Sequence, residues 1–193
     1  NIEKIKNLSL EEKILRKKNL DLFYKFGFPT KQVEDWKFTD LNLILNKNFE
    51  SISNDINFES NKDLEVIKNF EHNYIFLTNG NIISTNFDHE EKNKILIKDF
   101  NEKETTNLDS GNVLTLLNSA LLSGGFALEI AKNYKLNKPL VVYNYYSNDL
   151  KNKILNNKNS IKLNEGSELS LIDYSDGNIQ SNFIKNTIDI VYL

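Results

Sequence analysis

A chain of 193 residues, 39% hydrophobic and 26% charged, is long enough for one large domain or two small ones with a real core. Its formal net charge of -3, with Lys and acidic residues interspersed, excludes a nucleic-acid-binding stripe and a polybasic membrane patch. No apolar run approaches the roughly 18–20 residues that cross a bilayer, and Asn1-Ile2-Glu3-Lys4 lacks the apolar core of a secretory signal. These features predict a cytoplasmic protein, or one of an organelle matrix or plastid. The absence of Cys fits that compartment and removes every thiolate with which the chain could hold a soft metal. Arg16 is the only Arg, and Asn and Lys are abundant, which reads as the codon bias of an AT-rich genome.

The first predicted element is a helix over residues 10 to 26. Ser9 and Glu12 form a capping box at its start, Gly27 supplies the left-handed position at its end, and Pro29 follows. Leu15, Leu22, Phe23 and Phe26 share one stripe, which must pack on something. Val33 to Leu41 carries the only Trp and reads as a short helical turn that anchors aromatic side chains. Asn46 to Lys62 reads as loop, with Phe49, Ile52, Ile56 and Phe58 as intermittent anchors.

Tyr74–Thr78 and Asn81–Ser84 flank Asn79-Gly80, the pair suited to the positive φ angles of a type I′ hairpin turn. A short strand is predicted at Lys94–Ile97. Val113, Leu114, Leu117, Ala120 and Leu121 then recur at helical spacing, with Gly124-Gly125 read as the stop. From Phe126 the chain turns to short strands: Phe126–Ile130, Leu140–Tyr145, Ile161–Leu163, Leu169–Tyr174 and Phe183–Leu193. Turns containing Asn, Gly or Pro separate them. Spacing alone leaves a sandwich and a β-helix both open. The run Asn186–Leu193 would be an unpaired edge if the chain stopped there, and Met is absent, so a fragment or processed product of a longer protein is expected.

Little in the sequence points to chemistry. His72 and His89 sit in polar stretches with no third ligand at useful spacing and read as surface histidines. Gly124-Gly125 precedes a strand rather than a helix, the wrong order for a phosphate-binding loop. Glu34 and Asp35 read as a solvated turn or as salt-bridge partners of Lys31 or Lys37. Ser9 reads as a cap, and Ser119 and Ser123 have no recognisable base beside them. Tyr143 and Tyr145 fall on one side of a strand and Tyr146 on the other, as ordinary sheet packing requires. No catalytic, cofactor-binding or metal residue is therefore assigned. A secreted β-helix enzyme acting on polysaccharide is argued against by the single Arg and the missing signal, and a stand-alone protein-binding module is the other alternative.

One stretch carries more. Phe26-Gly-Phe-Pro-Thr-Lys-Gln-Val-Glu-Asp-Trp-Lys-Phe-Thr-Asp-Leu41, with Glu34, Trp36, Lys37, Phe38 and Thr39 in their places, resembles the SufB/SufD family of iron–sulfur cluster assembly scaffold proteins. The Asn79-Gly80 hairpin, Leu117-Asn118-Ser119-Ala120, Gly124-Gly125, Leu128-Glu129-Ile130 and Lys138-Pro139-Leu140 follow in the order of that family, and the form of the Trp-Lys-aromatic-Thr segment is closer to the SufD branch than to SufB. The resemblance implies a mainly β fold with an N-terminal α/β region, residues 1–122, and the start of a right-handed parallel β-helix, residues 123–193. It implies a non-enzymatic scaffold subunit acting with a SufB-like homologous subunit and a SufC-like ATPase, the latter docking on a C-terminal region that lies outside this sequence. The iron–sulfur cluster would be assembled by the full complex and not bound by this segment. Neither nucleic acid nor membrane is an expected partner.

Overall fold

The computed structural model describes residues 2, 8–50, 56, 66–100 and 112–193. Among the described residues, three α-helices accompany two four-stranded sheets in a mixed α/β arrangement.

Helix α1 spans Leu10–Phe26, and its start is fixed as the sequence predicts. The Ser9 hydroxyl accepts the Glu12 N–H at 3.3 Å, and the Glu12 carboxylate accepts the Ser9 N–H at 2.8 Å. Gly27 closes the helix at φ +71°. The buried face differs from the predicted stripe. Phe23 and Arg16 are buried, while Leu15 and Phe26 are exposed. A guanidinium on a long apolar stem can lie inward when its head finds an acceptor, and Arg16 Nη1 donates to the Leu122 carbonyl at 2.8 Å. This bond fastens α1 to the turn after a later helix.

A 3-10 turn at Glu34–Trp36 occupies the Trp segment. Its aromatic side chains are not buried anchors: Trp36 is half-buried and Phe38 is 90% exposed. Helix α2, Leu41–Asn48, follows, capped by Asp40, whose carboxylate accepts the Leu43 N–H at 2.9 Å. It takes in the first residues of the predicted loop. Of that loop's predicted anchors, Ile52 and Phe58 lie outside the described residues, whereas Ile56 packs against Tyr146, Leu150 and Leu155.

Strands β1 (Asn73–Thr78) and β2 (Asn81–Asn86) form the predicted hairpin, with Asn79 at φ +47° and Gly80 at φ +82°. Strand β3 spans Ile95–Asp99 and helix α3 Val113–Ala120. Strands β4 (Phe126–Ile130), β5 (Leu140–Tyr146), β6 (Ile154–Leu163), β7 (Leu171–Gly177) and β8 (Ile184–Tyr192) follow. One sheet has the order β2-β1-β5-β7, the other β3-β4-β6-β8. Each begins with an antiparallel pair and continues with parallel ones.

From β4 onward, successive strands alternate between the two sheets. Parallel partners stand 33, 31 and 30 positions apart along the chain, as in Ala127 with Ser160, Val141 with Ile172 and Ile154 with Ile184. Sequence spacing hid this period because the connecting turns differ in length. Between the sheets, Ile75, Leu77, Phe126, Leu128, Ile130, Leu140, Val142 and Ile161 form one buried apolar cluster. The predicted inward triplet Phe126, Leu128 and Ile130 lies within it.

Helix α3 rests on β6 and β8 over a polar seam. Asn118 Nδ2 donates to the carbonyls of Asn157 at 3.0 Å and Asn186 at 2.7 Å. Asn186 Nδ2 in turn donates to the Leu114 carbonyl at 3.0 Å and to Asn156 Oδ1 at 2.9 Å. The structure corrects the reading of Gly124-Gly125 as a helix stop: α3 ends at Ala120. A Cβ on Gly125, whose φ is +134°, would stand 1.7 Å from the Lys158 carbonyl oxygen. One on Gly124 would stand 2.5 Å from that of Gly80. These glycines let three backbone segments touch.

Candidate interaction surface

The residues singled out in the sequence do not converge on a catalytic centre. Glu34 is paired with Lys37, and Lys31 with Asp40, all on the surface. Ser9 caps α1. His89 is exposed, but His72 is buried, contrary to the surface reading. Its Nδ1 lies 2.6 Å from the Phe70 carbonyl, which can only accept, so Nδ1 carries the proton. Nε2 then accepts from the Tyr143 hydroxyl at 2.8 Å, and that hydroxyl accepts the Ile67 N–H at 3.0 Å. Burial pushes the Tyr143 phenol above its ordinary value, which keeps it a donor. The histidine thus holds residues 66–72 against the outer face of β5. Among the described residues, no group of three or more His, Asp or Glu side chains is placed to share a metal ion.

Ser119 has a neighbour that the sequence did not reveal. Lys158 Nζ donates to its hydroxyl at 2.7 Å, and the ammonium lies 5.9 Å from the Phe100 ring centre. A serine beside an amine is the arrangement of a base-assisted nucleophile. Here Lys158 is 0% and Ser119 6% exposed, so a substrate carbonyl has no path to the oxygen. Lys158 was missed because it sits in the polar run Asn156-Asn157-Lys158-Asn159-Ser160, which gives no sign of burial.

Glu90 is a second polar junction. Its carboxylate accepts from Asn73 Nδ2 at 2.6 Å, the Tyr134 hydroxyl at 2.7 Å, and the backbone N–H groups of Asn137 at 3.1 Å and Lys138 at 3.2 Å. Partial burial alone would raise its pKa. The hydrogen bonds from Tyr134, Asn137, Asn73 and Lys138 outweigh it and hold the group below the ordinary carboxylate value. The four donors tie the start of β1 to the turn before β5. This is a structural lock.

The surface that remains is the far edge of each sheet. In-register rows of side chains cross from strand to strand and end on β7 or β8. The row Phe76, Tyr143, Tyr174 crosses three strands, with ring centres 5.7 Å and 5.5 Å apart. Leu171 continues from Leu140, and Val191 from Leu128 and Ile161. The inner members are buried. Leu171, Tyr174 and Val191 are 48%, 43% and 57% exposed, and every residue of β7 is exposed. Among the described residues β7 and β8 are the outermost strands of their sheets, and no strand pairs with their far sides. Period-2 alternation made the strands legible, but the sheet order that turns β7 and β8 into edges was not.

No helix among the described residues is long and apolar enough to cross a membrane. No curated protein matches the chain. The family model for the SufBD protein N-terminal region matches residues 3–142, which is most of the chain. The chain belongs to the SufB/SufD family of iron–sulfur cluster assembly proteins.

Proposed function

We propose, from that membership, that the chain is a non-catalytic scaffold segment of an iron–sulfur cluster assembly complex, of the SufD branch rather than SufB. The observation that carries the reading is the match of residues 3–142 to the SufBD protein N-terminal region. The alternation of strands between sheets and the spacing of 30 to 33 residues support the first coils of a right-handed parallel β-helix. On this reading residues 123–193 are the coils, and residues 1–122 are the α/β region that starts both sheets. The partners are a SufB-like homologous subunit and a SufC-like ATPase, the latter through a C-terminal region of the kind the family carries. The cluster is the cargo of the assembled complex. With no Cys in this chain, thiolate ligands to it come from elsewhere. The work is cytoplasmic, or done in an organelle matrix or plastid.

Affinity purification of the full-length protein from its own cells tests the proposal. Recovery of a stoichiometric ATPase and a homologous SufB-like subunit is the expected result. A protein recovered alone, with normal cellular iron–sulfur enzyme activity after its deletion, would overturn it.

A further inference from the structure

The outward face of α1 is organised as a receiving groove, and neither the sheets nor the family membership explains it. Two rows of residues at four-residue spacing run along it: Ile14, Lys18 and Leu22 on one side, Lys17, Asp21 and Lys25 on the other. The opposite face is committed, through Arg16 to the Leu122 carbonyl and through Phe23 to Leu116, Leu117 and Ile154. The groove is turned outward, with Ile14 61% exposed and Leu10 and Tyr24 more so, and it is closed at one end by Leu22, which packs toward that core. Parallel rows at this spacing are the ridges between which a second helix seats its own ridge.

The charges narrow the occupant. Among the described residues, Lys17, Lys18 and Asp21 take part in no ion pair. The second ridge reads base, acid, base, spread over about 12 Å of helix axis. A second copy of α1 laid antiparallel would set Lys17 against Lys25 and Asp21 against Asp21, which repels. An anionic lipid surface would meet Asp21 at the centre of the patch, among apolar side chains too few to insert deeply. The complement is a helix reading acid, base, acid at four-residue spacing beside an apolar row. That pattern fits in either direction.

We propose that the groove between the Ile14 and Lys17 ridges of α1 docks an amphipathic helix of a partner protein, with an acid–base–acid ridge set against Lys17, Asp21 and Lys25. The proposal does not depend on the iron–sulfur reading. Two measurements test it. In the first, a fluorescent helical peptide with a Leu row and a Glu–Lys–Glu ridge is titrated with the full chain, beside a control peptide reading Lys–Glu–Lys. The first peptide should bind at least about tenfold tighter, with the preference inverted by the triple change Lys17→Glu, Asp21→Lys, Lys25→Glu and weakened at about 0.5 M salt. In the second, a photo-crosslinking residue replaces Ile14 in the full-length protein in its cells, and the adducted peptide is sequenced. The expected adduct is a helical segment with the acid–base–acid pattern, its yield cut about tenfold by Lys17→Glu with Lys25→Glu. Equal binding of both peptides would overturn the proposal. So would an adduct on lipid, on a second copy or on a segment without the pattern, and so would no adduct. Thermal melting of the charge variants, all at exposed positions, should match the parent.

Discussion

The space between the sheets and the seam beneath α3 share strand β6 and are filled by opposite means. At Ile161 the strand contributes to a dry cluster of Ile, Leu, Val and Phe. Three to five residues earlier it presents Asn156, Asn157 and Lys158, all buried, to Asn118, Ser119 and Asn186. In the first region burial of apolar area stabilises without regard to direction. In the second, burial costs free energy wherever a polar atom lacks a partner, as Asn118 Oδ1, Asn156 Nδ2 and Asn157 Oδ1 do among the described residues, so the seam depends on the bonds that are made. The difference teaches where each kind of packing is used: the apolar filling joins sheets, and the polar filling fixes the position of one helix over two strands.

The junction of the two regions is the most sensitive point. Gly125→Ala sets a Cβ against the Lys158 backbone at a φ that suits only glycine, and should cost about 4 kcal/mol or more in denaturant unfolding. A fully folded variant of unchanged midpoint would show that the two regions are not tightly joined. Leu128→Ala, on the apolar side, should cost about 3 kcal/mol by leaving a cavity. Asn118→Ala, on the polar side, strips donors from the carbonyls of Asn157 and Asn186 and should cost about 2 kcal/mol. If Asn118→Leu proves as stable as the parent, the seam is a tolerated polarity and the contrast with the apolar core fails.

The smallest effect is expected at Glu90. Its pKa is lowered in the folded protein, so its contribution is present above the unfolded carboxylate value, 4.5, and is lost as pH falls through the folded value. Stability measured between neutral pH and pH 3 should therefore fall less steeply in Glu90→Gln than in the parent. The variant should lose about 1 kcal/mol at neutral pH through its weakened acceptor. An unchanged pH slope would remove Glu90 from the groups that lock β1 to the turn before β5.

The same contrast explains what could be read in advance. Capping chemistry at Ser9 and Glu12 gave α1 to the residue, and Asn79-Gly80 gave the hairpin, because those motifs act through neighbours in sequence. The apolar part of β6 was legible at Ile161, whereas its start at Ile154 was not, because polar residues buried against distant partners look like loop. Helix α2 escaped for a related reason: its apolar residues Leu43 and Ile44 are exposed, and only Leu45 is buried. The inward turn of Arg16 depended on a carbonyl 106 residues away. Of the interaction surface, the strand Ile184–Tyr192 was foreseen as a possible edge, but its sheet order and in-register rows depend on pairing between distant segments.

The turn at Asn79-Gly80 has a further bearing, on the order of events as the chain is made. Hairpin tips are commonly at the surface, yet Asn79 is fully buried. Its side chain donates to Ser147 Oγ at 2.8 Å and accepts the Ser147 N–H at 3.0 Å, and the space above Gly80 is filled by Asn157. A hairpin closes in microseconds once its own residues are free. Its cover is synthesised only some 70 to 80 residues later, about 4–15 s at 5–20 residues per second. An isolated two-stranded hairpin is marginal at best in water, so this one is secured only when β5, Ser147 and Asn157 have been made.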